Sequence, residues 1–315
     1  MTETLEIPTL DDVRRAAARI VPHLRRTPAM AFSATYEPLP GEVWLKLECL
    51  QHTGSFKPRG AFNKLLSASA DERRAGVVAV SGGNHGLGVA FAARTLGVPA
   101  TIYLPVYASP VKQQRIAALG ATVVLNETIA DAFARAAEHV AERGAIMVHP
   151  YADPLVVAGQ GTCGLEFVED APPLDTLLVA VGGGGFLAGV AIAAKARRPE
   201  TRVIGVEPEG AATLTAARAA GHPVTLPSIG SVAADSLGAP DVAPLTFAVA
   251  ERLVDDVVLV SDQEILAARS RLWLEANVAA ENGGVTALAA YLSGKVSPAG
   301  RTGIIVCGGN IDLGW

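Results

Sequence analysis

The chain has 315 residues and half of them are apolar, so it can bury a sizeable core in one large or two medium domains. Charged residues make up 18% and the formal net charge is −5, which argues against binding to nucleic acid or an anionic membrane surface. The three cysteines are far apart without metal-ligand spacing, as expected in a reducing compartment. There is no signal-peptide design and no apolar run of roughly 18 residues, so we expect a soluble, cytoplasmic protein.

Short β-branched runs alternate with alanine-rich helical patterns along most of the chain. A first series of strands reads VVAV at 77–80, TIYLP at 101–105, TVVL at 122–125 and AIMVH at 145–149. After a break near HPYADP, a second series reads TLLVAV at 176–181, RVIGVEP at 202–208, LVDDVVLVS at 253–261 and GIIVCGG at 303–309. Strands that are apolar throughout and separated by helices predict parallel sheets covered by helices on both faces. We therefore predict an α/β fold with two lobes.

Three glycine-rich turns follow β runs: the asparagine loop SGGNHG at 81–86, the glycine loop GGGG at 182–185 and the cysteine segment CGGN at 307–310. In open α/β sheets, ligands bind beyond the carboxyl ends of the strands, where such turns lead into helices. The lysine segment, SFKPRG at 55–60, holds Lys57 at an apparent helix start. We interpret the four stretches as pieces of one site.

The glycine loop has three possible interpretations. Four glycines allow close approach of a ligand, and the following helix supplies unpaired N–H groups, which together suit a phosphate. The loop could also be a tight strand-to-helix turn. The third interpretation is a dinucleotide fingerprint made by Gly183, Gly185 and Ala188, with Glu207 as the ribose-binding acid. No Lys-Ser/Thr pair follows the loop, which argues against a triphosphate site.

The other three pieces are ambiguous when taken singly. The asparagine loop could hold a carboxylate through its N–H groups, or it could be an ordinary capped turn. In that loop His85 fits a structural donor better than a base. Cys307 alone could be a small buried hydrophobe, and Lys57 alone a solvated lysine. The prediction of a site depends on the combination of the four.

These motifs resemble the fold-type II pyridoxal-phosphate enzymes, in particular the threonine/serine dehydratase and serine racemase family. TGSFKPRGA resembles the segment of the lysine that binds the cofactor, GGGG the phosphate loop, and CGGN the segment at the pyridine nitrogen. The stretches RTPA, ASPVKQQRIAALGATVVL, HPYADPLVVAGQGT and GVEPEGA are also similar, so the resemblance runs from about residue 10 to the end. It implies a two-lobed, tryptophan synthase β-like fold and a homodimer. The large, cofactor-binding domain would be 1–66 and 150–315, with a small domain at 67–149 inserted in it.

The resemblance also implies roles for individual residues. Lys57 would bind pyridoxal phosphate covalently and then remove the substrate α-proton. The other cofactor contacts would be Phe56 on the ring face, Asn84 at the ring hydroxyl, Gly182, Gly183, Gly184 and Gly185 at the phosphate, Glu281 nearby, and Cys307 at the pyridine nitrogen. The substrate carboxylate would be bound by the backbone of Ser81, Gly82, Gly83, Asn84 and His85.

A thiol at the pyridine nitrogen would favour elimination over other reactions of the substrate. With an ordinary pKa near 8.5, Cys307 cannot keep that nitrogen protonated as an aspartate would. Negative charge at the substrate α-carbon is then poorly stabilised, and loss of a β-hydroxyl, protonated by the bound phosphate, becomes the easier outcome. The expected reaction is dehydration of L-serine or L-threonine to a 2-oxo acid and ammonia.

Departures from the family pattern narrow the prediction. Racemases of the family have a serine base where this chain has Gly82, which disfavours racemisation. Members that bind a divalent ion pair a glutamate like Glu207 with an aspartate, and Thr213 stands about where that aspartate would be, so we assign no metal. Ser236 and Asn282 also replace common family residues. The alternatives are a racemase, a dehydratase of hydroxyaspartate or phenylserine, a β-replacement synthase, and a non-catalytic sensor of amino acids or nucleotides.

Overall fold

The computed structural model describes residues 5–297 and 300–311. Within these residues the α-helices are α1 (Leu10–Ile20), α2 (Lys57–Ser67), α3 (Ala70–Ala75), α4 (Asn84–Leu96), α5 (Pro110–Ala118), α6 (Ile129–Arg143), α7 (Pro154–Asp170), α8 (Gly185–Arg197), α9 (Thr213–Ala220), α10 (Ala234–Leu237), α11 (Pro244–Leu253), α12 (Asp262–Ala276) and α13 (Asn282–Leu292). The strands are β1 (Ala29–Phe32), β2 (Val43–Lys46), β3 (Val77–Val80), β4 (Ala100–Pro105), β5 (Thr122–Asn126), β6 (Ile146–Met147), β7 (Thr176–Ala180), β8 (Arg202–Pro208), β9 (Asp256–Val260) and β10 (Thr302–Ile305).

The strands form two sheets, and the predicted α/β class is confirmed. The order of the larger sheet is β1-β2-β10-β7-β8-β9, and that of the smaller sheet is β5-β4-β3-β6. Pairing is parallel throughout except between β1 and β2. Strands β1 and β2 were not predicted from the sequence, because each is only four residues long. The smaller sheet lies within 77–147, inside the predicted small domain, whose boundaries stay a prediction.

The strand order brings two of the predicted pieces to one edge of the larger sheet. β10 lies between β2 and β7, and Ile304 pairs with both Leu45 and Leu178. Since β7 and β10 are parallel neighbours, their carboxyl ends meet at the same edge. The glycine loop after β7 and the cysteine segment after β10 therefore emerge side by side. No helix in the described part of the chain has both the length and the apolar character to cross a membrane.

Helix α7 packs closely against both α2 and α8. It is buried along most of its length, so its sequence lacks the amphipathic period from which a helix could have been predicted. A Cβ at Gly159 would lie 2.6 Å from the carbonyl oxygen of Arg59 on α2, and one at Gly161 would lie 2.8 Å from that of Gly189 on α8. Glycine at these positions lets the backbones approach, which holds the lysine segment close to the glycine loop.

A buried network of charges fixes α2 in place. The guanidinium of Arg59, 1% exposed, donates to both carboxylate oxygens of Glu48 at 2.6 and 3.0 Å. It also donates to both oxygens of Glu166 on α7 at 2.8 Å, and to the hydroxyl of Thr162 at 3.0 Å. The ammonium group of buried Lys46 on β2 donates to Glu166 at 2.8 Å. The network therefore connects α2 to α7 and to the carboxyl end of β2 in the larger sheet.

We predict that Arg59→Met lowers the free energy of unfolding by about 3–5 kcal/mol, because it leaves the buried Glu48 carboxylate without its cationic partner. Urea denaturation followed by circular dichroism measures the change. The control is Arg14→Ala, which removes an exposed pair with Asp11 and should cost no more than about 1 kcal/mol. Equal, small effects of the two substitutions would show that the buried network does not stabilise the fold.

Candidate active site

Lys57 is the first residue of α2 and has an uncharged environment. Its amine donates to the carbonyl oxygen of Pro150 at 3.1 Å and lies 5.0 Å from the centroid of the Phe56 ring. Among the described residues no carboxylate forms a salt bridge with it, and the side chain is half-buried. Burial, opposed weakly by nearby Cys307, lowers the pKa of Lys57 to about 8. A lysine in this state is a better nucleophile at neutral pH than a solvated one.

The structure brings the four predicted pieces together around Lys57. The backbone N–H of Phe56 donates to the carbonyl of Cys307 at 3.3 Å, which joins the lysine segment to the cysteine segment. The Phe56 ring stacks on Phe186, directly after the glycine loop, with centroids 4.0 Å apart. Helix α4, which follows the asparagine loop, packs on Lys57 through Gly88, where a Cβ would lie 2.9 Å from that of Lys57. The predicted clustering of these pieces is therefore observed.

The glycine loop turns sharply from β7 into α8. Gly184 has φ +81°, a left-handed conformation that favours glycine. A Cβ at Gly183 would lie 2.4 Å from the ring of Tyr151, and one at Gly185 would lie 2.8 Å from the Tyr151 backbone. No described side chain accepts from the N–H groups of the loop, and the first N–H groups of a helix have no partner within it. These N–H groups can bind a phosphate.

Asn84 and Glu281, both predicted near the cofactor, are hydrogen-bonded to each other. The amide of Asn84 donates to the Glu281 carboxylate at 2.5 Å and accepts from the amide of Asn310 at 2.8 Å. Burial raises the pKa of Glu281 to about 7, against the lowering effect of the Asn84 bond. The backbone N–H of Glu281 donates to the carbonyl of Gly308, so the pair also lies against the cysteine segment.

Cys307 is a neutral thiol. It is 4% exposed, and its Sγ donates to the carbonyl of Gly283 at 3.5 Å. Burial first, and then the charge of Glu281, raises the pKa of this thiol far above its ordinary value. Cys307 therefore carries no charge at neutral pH.

The asparagine loop uses one of its N–H groups internally. Gly83 N–H donates to the hydroxyl of Ser81 at 3.1 Å, so that group is not available to a ligand as the loop stands. The N–H groups of Asn84, His85 and Gly86 begin α4 and have no acceptor among the described residues. Of the predicted carboxylate site, these later N–H groups fit the role better than that of Gly83.

The imidazole ring of His85, in the same loop, is neutral and has one nitrogen available as an acceptor. Its Nε2 donates to the carbonyl of Val148 at 2.8 Å, which leaves Nδ1 as an acceptor. Burial, with the nearby charge of Lys57, lowers the pKa of His85 to about 3, so the ring is neutral. His85 Nδ1 and the hydroxyl of Ser55 are buried without a partner in the described part of the chain. Buried polar atoms without partners are costly and fit a site built for a polar ligand.

The hydrogen bonds of Glu207 argue against a dinucleotide site. Its buried carboxylate accepts from the N–H groups of Leu214 and Thr215, at 2.7 and 2.9 Å, and from the Thr215 hydroxyl at 2.7 Å. It therefore caps the start of α9 and is not positioned for a ribose. No group of three or more histidine, cysteine, aspartate or glutamate side chains that could hold a metal occurs in 5–297 and 300–311.

Sequence reasoning missed several residues of the site. Tyr151, Thr213 and Thr246 all contact the glycine loop, yet their positions in the sequence give no sign of it. Tyr151 belongs to HPYADP, the break between the two series of strands. That break was the one sequence signal that could have indicated a role for Tyr151. In the described part of the chain, an amine with no carboxylate partner, a nest of N–H groups and buried polar atoms without partners together fit a phosphate-bearing aldehyde cofactor.

Comparison with known proteins supports this fit. The sequence model of the family described as "Pyridoxal-phosphate dependent enzyme" matches residues 20–308. The L-threonine ammonia-lyase of Thermotoga maritima is 41% identical over 97% of this chain and 76% of its own length, and the phenylserine dehydratase of Ralstonia pickettii is 42% identical over 98% and 95%. The structure of maize serine racemase superposes with a TM-score of 0.92 at 37% identity, covering 98% of this chain and 95% of that one.

The match spans nearly the whole chain, and the relatives are well above 30% identical over most of their length. The family resemblance and the pyridoxal-phosphate cofactor predicted from the sequence are thereby confirmed. The chain belongs to the fold-type II pyridoxal-phosphate-dependent enzymes, in the family of threonine/serine dehydratases and serine racemases.

Proposed function

We propose that this protein dehydrates a small L-β-hydroxy amino acid, threonine or serine, to a 2-oxo acid and ammonia. The observation that carries the proposal is the half-buried amine of Lys57, which no described carboxylate pairs, beside the glycine loop and a neutral Cys307. The L-threonine ammonia-lyase relative supports the choice of substrate. When bound, pyridoxal phosphate supplies an electron sink for the electrons released at the substrate α-carbon.

Lys57 is suited to two tasks. Its amine is held by one carbonyl oxygen, that of Pro150, so it can leave this partner without breaking an ion pair. A pKa of about 8 makes a useful fraction of the amine neutral near neutral pH. The same nitrogen can therefore attach the cofactor and later accept the proton from the substrate α-carbon.

Cys307 supports elimination as the outcome. Since burial keeps its thiol uncharged, it cannot stabilise a positive charge on a ring nitrogen placed beside it. Negative charge at the substrate α-carbon would then be short-lived, and departure of the β-hydroxyl would relieve it. The glycine loop would hold the cofactor phosphate, and this group, when bound, would supply an acid for the departing hydroxyl.

The substrate carboxylate fits the start of α4. An anion is favoured there by the positive end of the helix dipole and by the N–H groups of Asn84, His85 and Gly86, which have no acceptor among the described residues. His85, neutral with a bare Nδ1, can accept a hydrogen bond but cannot act as a base with a pKa of about 3. It is therefore a binding residue in this proposal.

Racemisation is the first alternative, and maize serine racemase is a close structural neighbour. A second base would have to come from position 82, which is glycine. A Cβ there would lie 2.6 Å from the Cβ of Ala108, so the space for a side chain is already filled. This packing supports dehydration over two-base racemisation.

The proposal also covers the cellular location, the oligomeric state, the domain boundaries and the metal requirement. We propose a cytoplasmic homodimer, with a small domain at 67–149 inserted in a large domain at 1–66 and 150–315. Catalysis would need no divalent cation, because the Glu207 carboxylate is already bound by donors at the start of α9.

The proposal predicts the preferred substrate. Threonine or serine should give 2-oxo acid with a kcat/KM at least about tenfold above that of phenylserine or hydroxyaspartate. A coupled 2-oxo acid assay over this panel measures the ratio, and chiral chromatography of recovered serine measures racemisation. Preference for phenylserine would favour the activity of the Ralstonia pickettii relative, and D-serine without 2-oxo acid would favour the racemase alternative.

We expect the purified protein to be yellow and borohydride to make the link between cofactor and Lys57 permanent. Lys57→Ala should abolish this labelling and reduce kcat by at least about 10³-fold, because it removes both the anchor and the base. Mass spectrometry of the peptide that contains residue 57 reads out the labelling.

Lys64→Ala is the matched control, because Lys64 lies on the same helix but pairs with Asp153. Labelling of Lys64 in the wild type, or full activity of Lys57→Ala, would contradict the assignment and revive a non-catalytic sensor.

The lowered pKa of Lys57 predicts the pH dependence of cofactor attachment. Only the neutral amine reacts with an aldehyde, so the rate constant for binding of pyridoxal phosphate to the cofactor-free protein should rise as pH passes through about 8. Stopped-flow absorbance between pH 6 and about 11 measures this rate constant, with Nα-acetyl-lysine, whose side-chain amine has an ordinary pKa, as the reference. A midpoint equal to that of the reference would contradict the effect of burial.

A further inference from the structure

Two buried hydroxyls contact the carbonyl groups of the glycine loop. Thr213 Oγ1 lies 3.0 Å from the carbonyl oxygen of Gly182, and Thr246 Oγ1 lies 3.0 Å from that of Gly183. The two threonines are 0% and 2% exposed and come from α9 and α11. Two separate helices thus hold two successive peptide groups of one loop.

Each hydroxyl has one proton and two acceptors within reach. The second acceptor of Thr213 is Glu207, at 3.2 Å, and that of Thr246 is the carbonyl of Ala243, at 2.9 Å. Both second acceptors have other donors: Leu214 N–H reaches the same Glu207 oxygen at 2.7 Å, and Phe247 N–H reaches Ala243 at 2.9 Å.

The carbonyls of the glycine loop, in contrast, have no second donor in the described part of the chain. No backbone N–H there donates to Gly182 or Gly183. Gly183 is buried and Gly182 is half-buried. Because a carbonyl without a donor is costly away from water, we assign the proton of each hydroxyl to the loop.

Fixing the carbonyls also fixes the N–H groups. In a planar trans peptide, the C=O of one residue and the N–H of the next point in opposite directions. With the carbonyls of Gly182 and Gly183 turned toward the threonines, the N–H groups of Gly183 and Gly184 point the other way. Successive N–H groups on one side make an anion-binding nest.

The loop needs this support because its own residues supply little. Glycine adopts many backbone conformations, so four in a row do not specify one peptide orientation. Tyr151 packs on the α-carbons of Gly183 and Gly185 but donates its hydroxyl to Asp241, so it limits space without orienting the peptides. Orientation is left to the threonine hydroxyls.

We propose that Thr213 and Thr246 are positioning residues for the cofactor phosphate, acting through the carbonyls of the glycine loop. This inference rests on the proposed role of that loop as the phosphate site. The threonines need not touch the phosphate. Loss of either hydroxyl would let a loop peptide turn and would remove one N–H group from the nest.

The test compares pyridoxal phosphate with pyridoxal, which lacks the phosphate. Cofactor-free wild type, Thr213→Val and Thr246→Val are titrated with each aldehyde, and the dissociation constants are read from absorbance. We expect each valine variant to bind pyridoxal phosphate about tenfold or more weakly, with the constant for pyridoxal changed less than about twofold. The serine variants Thr213→Ser and Thr246→Ser, which keep the hydroxyl, should recover most of the phosphate-dependent affinity.

Thr215→Val is the matched control. Thr215 lies on the same helix as Thr213, and its hydroxyl donates to Glu207. Among the described residues it forms no hydrogen bond with the glycine loop, so the ratio of the two constants should stay at the wild-type value. If a valine variant does not fold, the alanine variant is measured in the same way. Equal weakening of both aldehydes, or an unchanged ratio in the valine variants, would overturn the inference. Wild type that binds no pyridoxal phosphate would instead overturn the proposed function, and this inference with it.

Discussion

The geometry around Lys57 depends on the buried guanidinium of Arg59, two residues further along α2. Arg59 has both of its carboxylate partners outside its own helix, one beside β2 and one on α7. These bonds resist any sliding or rotation of α2, because either movement would leave a buried charge unpaired. The start of α2, and with it the amine of Lys57, therefore has a fixed position relative to both the larger sheet and α7.

Burial then sets the charge state of the site. It lowers the pKa of Lys57 to about 8 and that of His85 to about 3, and it raises the pKa values of Cys307 and Glu281. All four shifts favour the neutral form, which is the effect of a low dielectric on any ionisable group. Burial thus reduces the charge that these groups carry, while the cofactor phosphate and the substrate carboxylate bring negative charge to the site. N–H groups at two helix starts are placed to receive it.

Several glycines of the motifs serve packing as much as ligand binding. A Cβ at Gly60 would lie 2.7 Å from the side chains of Val156 and Gln160 on α7, and Gly88 fits against Lys57 itself. In these cases the missing side chain lets two helices approach, and the close approach is what assembles the site. The motif glycines in SFKPRG and in the helix after SGGNHG therefore reflect helix contacts.

The sequence alone determined the parallel α/β class, the four motifs and the family, because apolar runs and glycine turns are local patterns. It did not determine which groups of those motifs are available. Only the tertiary structure showed that Gly83 N–H is used by Ser81, and that the carbonyls of the glycine loop are bound by Thr213 and Thr246. These threonines lie 31 and 63 residues from their partners, and they meet the loop only because α11 packs against α8 and α9 packs against α11. A hydrogen bond between distant residues depends on strand order and helix packing, which no local pattern encodes.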